Sequence, residues 1–153
     1  MPLLEPAYVL AATLALSGAV IEEPVEPTEV VCLALNVYHE ARGEDLTGQA
    51  AVAHVTLNRA ADPRYPDTVC EVVTQSNGRA CQFSWFCNDR SNRAYNSDAF
   101  RRALRVTLDV LTGSLDDPTR GATHFVSTRI SLPAWARRLR QTATIGGHRF
   151  FRG

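Results

Sequence analysis

The sequence predicts a single α+β domain, mainly helical, with a small C-terminal β-hairpin. Three observations carry this. Apolar residues recur at helical spacing through the first two-thirds of the chain, and residues that cap or stop helices punctuate them. The last dozen residues place Gly146-Gly147 between two short alternating runs. At 153 residues, 45% of them hydrophobic, the chain suits one core of its own and leaves no room for two ordinary domains.

The elements follow in order. Thr28 is a candidate N-cap and Glu29 suits the positive end of a helix dipole. Val30, Leu33, Ala34, Val37 and Ala41 continue on one face, so the spacing predicts a helix over 29–41, stopped by Gly43. A second helix is expected from Thr47 or Gly48 to about Arg59, ended by the Asp62-Pro63 and Tyr65-Pro66 turns. Asp67 or Thr68 can cap a short helix through Gln75. Residues 76–96, rich in Ser, Asn, Arg and Gly around Gln82-Phe83-Ser84-Trp85-Phe86, read as a long loop of the functional kind. Ser97-Asp98 caps a helix over 98–112 ending at Gly113. A short strand is expected at 123–126, a short helix at 133–140, and the hairpin at 142–145 and 148–151.

Residues 1–27 read separately. The apolar run 7–21 is shorter than the roughly 20 residues of a membrane span. It suits an export signal or anchor, a helix buried in an assembly, or an ordinary N-terminal helix; Glu5 precedes it where a signal peptide carries basic residues. EEPVEP at 22–27 reads as a linker, which leaves 28–153 as the functional domain.

Net charge is zero, yet unevenly spread. Residues 1–29 hold five Glu and no Arg, whereas 118–153 hold seven Arg and no acid. That basic part either faces an anionic polymer or simply solvates the surface. No nucleic-acid partner is expected. Cys32, Cys70, Cys81 and Cys87 allow three complete pairings. Cys81 and Cys87 can form a local bridge, and Cys32, on an apolar helical pattern, suits a buried free thiol. Bridges would place the protein in an oxidising compartment: periplasm, envelope or virion.

The chemistry candidates centre on Glu40, in Tyr38-His39-Glu40-Ala41-Arg42-Gly43-Glu44. Glycoside cleavage needs a carboxylic acid that stays protonated near neutral pH, and burial at the negative end of a helix favours that form. The same position also suits an ordinary solvated Glu. Glu44, four residues on, is a candidate second carboxylate if the helix continues past Gly43. His39-Glu40 begins a zinc-protease pattern, but the second His would fall at Gly43, so no metal is expected. Ser84 lacks a nucleophile elbow. His54, His124 and His148 suit packed rings. Phe83, Trp85 and Phe86 can stack on sugar C–H faces beside Gln82 and Asn88, or pin the loop to the core.

Together these segments carry a resemblance. Residues 33–44 (LALNVYHEARGE), Gly48-Gln49-Ala50-Ala51-Val52-Ala53 and Leu57-Asn58-Arg59 resemble the SleB-type cell wall hydrolase family, that of the catalytic domain of the spore-cortex-lytic enzyme. The resemblance continues through Tyr65-Pro66-Asp67-Thr68-Val69-Cys70, Cys81-Gln82-Phe83-Ser84-Trp85, Gly121-Ala122-Thr123-His124-Phe125, Pro133-Ala134-Trp135-Ala136 and residues 145–151 (IGGHRFF). It implies a lysozyme-like or lytic-transglycosylase-like fold, peptidoglycan glycan strands as substrate and no cofactor. It further implies cleavage between N-acetylmuramic acid and N-acetylglucosamine with Glu40 as general acid. Transglycosylation needs one carboxylate; Glu44 as a second would suit hydrolysis. Tyr38, Gln49, Gln82, Ser84, Trp85 and His124 are the candidate substrate-binding residues. Val126 stands where the family often carries a further His, so no role for that His is expected. Because the resemblance covers about 30–152, targeting is expected from residues 1–27 or from a partner such as a phage tail or virion protein. A catalytically silent structural or wall-binding component of a virion or envelope complex is the rival expectation.

Overall fold

The computed structural model describes residues 27–88 and 94–153. The expectations for the apolar run 7–21 and the Glu/Pro linker lie outside the described residues. Among those described, no helix is long and apolar enough to cross a membrane.

Helix α1 (Pro27–Ala41) is the centre of the helical part. Its predicted stripe is its buried face: Val30, Leu33, Ala34, Val37 and Ala41 are all at most 2% exposed. That face packs against α2 (Leu46–Ala60), α3 (Val69–Thr74) and α5 (Ser97–Leu111). Helix α2 starts earlier than predicted because Asp45 is its cap, accepting the Gly48 N–H at 2.9 Å. Thr68 caps α3 through the Glu71 N–H, as expected, and the Glu29 carboxylate reaches over from α1 to the Val69 N–H at 2.6 Å. Helix α5 is capped by Asn96, which accepts from Ala99 N–H at 2.9 Å, one residue before the predicted Ser97-Asp98.

Within the predicted loop 76–96, residues 76–88 are more ordered than their composition suggests. Ser76 bridges to Cys81, and residues Ser84–Cys87 form one helical turn, α4. A Cys81–Cys87 disulfide closes around that turn. Cys32 is not a free thiol: it pairs with Cys70 and ties α1 to α3. Helical periodicity could mark Cys32 as inward-facing, but the partner is set by how α3 docks, which spacing does not encode.

The C-terminal part is a three-stranded antiparallel sheet in the order β1 (His124–Ser127), β3 (His148–Arg152), β2 (Arg140–Ile145). The predicted hairpin is β2–β3, and the isolated strand pairs with β3, His124 opposite Phe151. The helix predicted over 133–140 shrinks to a 3-10 turn, Ala136–Arg138, because Arg140 already belongs to β2. Central strand β3 is covered on both faces. Phe150 packs with Ala51 and Val55 of α2, and Phe151 packs with Val126 and Ala136. The sheet is thereby fixed against α2.

Candidate active site

Helix α1 carries Glu40 in its last turn. The chain then leaves the helix through the Arg42 and Glu44 amides, which bond back to Tyr38 and Ala41 carbonyls. Glu40 is partly buried, and among the described residues its carboxyl group accepts no hydrogen bond. Burial pushes its pKa up to about 7; the Arg59 guanidinium works in the opposite direction but is outweighed. Such a carboxyl remains partly protonated at neutral pH.

Arg59 ends α2 and is 2% exposed. It falls on the buried face, four residues past Val55 and eight past Ala51, and its Nε donates to the Thr123 carbonyl. The guanidinium lies 5.5 Å from the Tyr65 ring centre and 5.3 Å from that of Phe83. Its Nη1 is buried without a partner among the described residues. Burial lowers the Arg59 pKa, while Tyr65 and Glu40 support the charge.

From Tyr65 the site continues to the sheet. The Tyr65 hydroxyl is 3.5 Å from His124 Nε2, and His124 Nδ1 is 2.9 Å from the Thr123 hydroxyl. Burial, reinforced by Arg59 and Arg64, holds the His124 pKa down at about 4. Trp135 stands 5.3 Å from the His124 ring and is 43% exposed. Glu40, Arg59, Tyr65, His124 and Trp135 thus form a connected wall from the helix end to the sheet.

The other candidates differ in exposure, Tyr38, Gln49 and Trp85 being buried and Gln82 and Ser84 exposed. Tyr38 is 2% exposed and its hydroxyl accepts the Asn96 N–H. Trp85 is 8% exposed, stacks on His39 at 4.5 Å and donates from Nε1 to buried Asn36 at 2.9 Å. Its position matches the loop-pinning alternative. Burial, then Arg42, lowers the His39 pKa to about 4. Gln49 is buried and donates to the Glu44 carbonyl at 3.2 Å. Gln82 and Ser84 are exposed on the disulfide-closed segment, where Gln82 lines a shallow pocket with Gln75, Ser76, Asn77 and Ala80.

Glu44 does not continue the helix toward Glu40. Its carboxylate accepts the Gly147 N–H, and Oε1 lies 3.4 Å from His148 Nδ1. Burial lowers the His148 pKa, against the pull of Glu44. Sequence reasoning assigned no role to Arg59, Tyr65 or Trp135. Arg59 did carry a signal, a charge in register with Ala51 and Val55 on a buried face.

The Cell Wall Hydrolase family model matches residues 43–151. The chain belongs to that family. The match begins just past Glu40. The spore cortex-lytic enzyme of Halalkalibacterium halodurans is 34% identical over 122 residues, covering 80% of this chain and 34% of that protein. That of Bacillus cereus is 28% identical over 133 residues, covering 87% and 48%. The cell wall hydrolase therefore spans about a third to a half of these relatives. Among solved structures, the catalytic domain of Bacillus cereus SleB superimposes with a TM-score of 0.69 at 28% identity, over 85% of this chain and 94% of that one. The catalytic domain of the germination-specific lytic transglycosylase SleB from Bacillus anthracis gives 0.70 at 28% identity, over 85% and 98%. The expected α+β fold is thus that of the SleB catalytic domain.

Proposed function

We propose that this cell wall hydrolase cuts peptidoglycan glycan strands between N-acetylmuramic acid and N-acetylglucosamine by lytic transglycosylation, with Glu40 as both acid and base. The observation that carries this is a partly buried carboxyl at a helix end whose pKa is raised to about 7, beside a buried guanidinium. The lytic names of the relatives and the shared fold support it.

Protonated Glu40 donates its proton to the glucosamine O4 as the C1–O4 bond breaks. The carboxylate left behind is stabilised by Arg59. It then removes the proton of the muramic C6 hydroxyl as O6 bonds to C1, closing a 1,6-anhydro ring. His124, kept neutral, can exchange hydrogen bonds with sugar hydroxyls, and exposed Trp135 offers a face for sugar C–H groups. Two-carboxylate hydrolysis would require Glu44 to face the sugar, whereas its oxygens are engaged at the Gly147 amide. Two disulfides suit an oxidising place of work: the periplasm, the cell envelope, or a virion met through residues 1–27.

The test is digestion of purified sacculi with mass spectrometry of the products. Anhydromuramic ends from the wild type and their loss in Glu40→Gln are expected. Absence of glycan cleavage, with the protein merely bound to sacculi, would favour a silent wall-binding component. Reducing muramic ends would replace transglycosylation by hydrolysis.

A further inference from the structure

Tyr65 is the one member of the wall that the proposed chemistry leaves without a task. It sits in the turn after α2, where its N–H donates to the Asp62 carbonyl at 3.0 Å. Its half-buried ring meets that of His124 edge to face at 6.3 Å. The guanidinium carbons of Arg59 and Arg64 stand 5.5 and 5.9 Å from its centre. Trp135 lies against the same His124 ring at 5.3 Å. Tyr65 and the partly open Trp135 therefore border one imidazole.

The hydrogen bonds of this corner acquire a direction from the core outward. Thr123 is 4% exposed, and among the described residues its hydroxyl has one partner, His124 Nδ1 at 2.9 Å. A buried hydroxyl proton without an acceptor is costly, so Thr123 donates and Nδ1 accepts. Burial keeps His124 neutral, with a pKa of about 4, so its single ring proton is on Nε2. That N–H faces the Tyr65 oxygen at 3.5 Å, a long contact. The Tyr65 O–H is thus the end of the chain, and none of the described residues accepts from it. Its neighbours Arg59 and Arg64 present only N–H groups, and Arg59 Nη1 is itself buried without a partner. A corner furnished with donors selects a ligand group that only accepts.

We propose that the Tyr65 hydroxyl donates to the acetamido carbonyl of the sugar stacked on Trp135, which makes Tyr65 a specificity residue for N-acetylated glycan. This rests on the proposed function. The acetamido oxygen accepts and does not donate, whereas ring hydroxyls do both and would be poorly discriminated here. A site built around a hydrogen bond to one group rejects the analogue that lacks it.

The experiment measures kcat/KM on glycan strands and on the same strands after N-deacetylation, for the full-length wild type and Tyr65→Phe. The wild type should cut the acetylated strands better by about tenfold or more. Tyr65→Phe keeps the ring against His124 and both guanidiniums. It should lose about two- to tenfold on acetylated strands, the net worth of one neutral hydrogen bond, and match the wild type on deacetylated ones. The ammonium left by deacetylation is repelled by Arg59 and Arg64 in both proteins, so it drops out of the comparison between them. Equal losses on both strands, or no loss on either, would overturn the proposal. Thr123→Val removes the hydroxyl that fixes the His124 tautomer, so Nε2 can then accept from Tyr65. The acetyl preference should narrow there too, and an unchanged preference would overturn Tyr65 as the donor. Should no strand be cut, which counts against the proposed activity alone, sedimentation of Glu40→Gln and Glu40→Gln/Tyr65→Phe with the two strands reads the same difference as binding. Equal binding of acetylated strands by both proteins would overturn the proposal in that case.

Discussion

Both carboxylate oxygens of Glu44 lie 3.2 Å from the Gly147 amide nitrogen, tying the end of the acid-bearing segment to the tip of the β2–β3 hairpin. The grip depends on missing side chains. A Cβ on Gly147 would sit 2.7 Å from Glu44 Oε1, and one on Gly48 would sit 2.8 Å from the Glu44 Cβ. Gly146 turns the hairpin with φ +54°, a conformation that other residues resist. Glu44 therefore anchors the hairpin tip to the segment that follows the Glu40-bearing helix. Gly147→Ala should cost about 1–3 kcal/mol in a denaturant melt, because the carboxylate must give up its amide partner. Glu44→Gln keeps an acceptor oxygen for that amide, so it should retain cleavage within about tenfold of wild type. Glu40→Gln should lose roughly 100- to 10,000-fold, the usual worth of a general acid. A Glu44→Gln protein that melts normally yet is as inactive as Glu40→Gln would restore Glu44 as a second catalytic carboxylate.

The raised Glu40 pKa has a kinetic and a thermodynamic consequence. The acid step needs the protonated form, so kcat/KM should fall as pH rises through about 7. His39 and His124 are both pushed down to about 4 and stay neutral across that range, so neither supplies this limb. The sign for stability follows from the same shift. The unfolded carboxyl ionises near 4.5 and the folded one near 7, so below 4.5 both states hold the proton and no penalty exists. Above 4.5 the unfolded state is favoured increasingly until the folded group ionises. Glu40→Gln should therefore match the wild type in unfolding free energy at pH 4 and exceed it at pH 8, by at most about 3 kcal/mol. A difference independent of pH would show that Glu40 is not held protonated by burial.

Two tryptophans separate packing from binding. Trp85 donates to Asn36, which is fully buried and bonded in turn to Thr56 at 3.0 Å. Trp85→Phe leaves the Asn36 oxygen without that donor, which should cost about 1–3 kcal/mol of stability with KM little changed. Trp135 has its face partly open beside His124. Trp135→Ala should raise KM for glycan chains about three- to tenfold, the range of a sugar-sized stacking contact, with a small change in melting temperature. Steady-state kinetics beside thermal melts distinguish the two; reversed effects would exchange their roles.

That contrast also shows what the sequence could express. The buried stripe of α1 was legible because helical spacing records which face meets a core. The hairpin was legible because the Gly146-Gly147 turn imposes its own geometry. Glu40 was located by the motifs around it, since its spacing alone favours an ordinary solvated helix-end residue. What escaped was whatever depends on segments far apart in the chain: Arg59 under Tyr65 and Phe83, Cys32 with Cys70, Glu44 with Gly147. The loop composition that marked 76–96 as irregular could not reveal α4, because a disulfide and two buried aromatics order it rather than helical propensity.

The two disulfides should separate stability from catalysis. Cys32–Cys70 spans 38 residues and Cys81–Cys87 spans 6. Loop-closure entropy assigns them about 4 and 2 kcal/mol respectively. The larger figure is an upper bound for Cys32→Ala/Cys70→Ala, because Glu29 still holds the first turn of α3 through the Val69 and Cys70 amides. The smaller ring encloses Phe83, the ring packed against Arg59, and Trp85, which stacks on His39 next to Glu40. Opening it frees the segment that keeps the guanidinium covered. Cys81→Ala/Cys87→Ala should therefore lower kcat/KM well below its melting transition, whereas the Cys32/Cys70 variant should lose stability but keep its kcat/KM at temperatures where it is folded. Denaturant melts paired with anhydro-product assays at one temperature decide this. Equal activity in both variants would show that α4 holds Phe83 and Arg59 in place without its covalent ring.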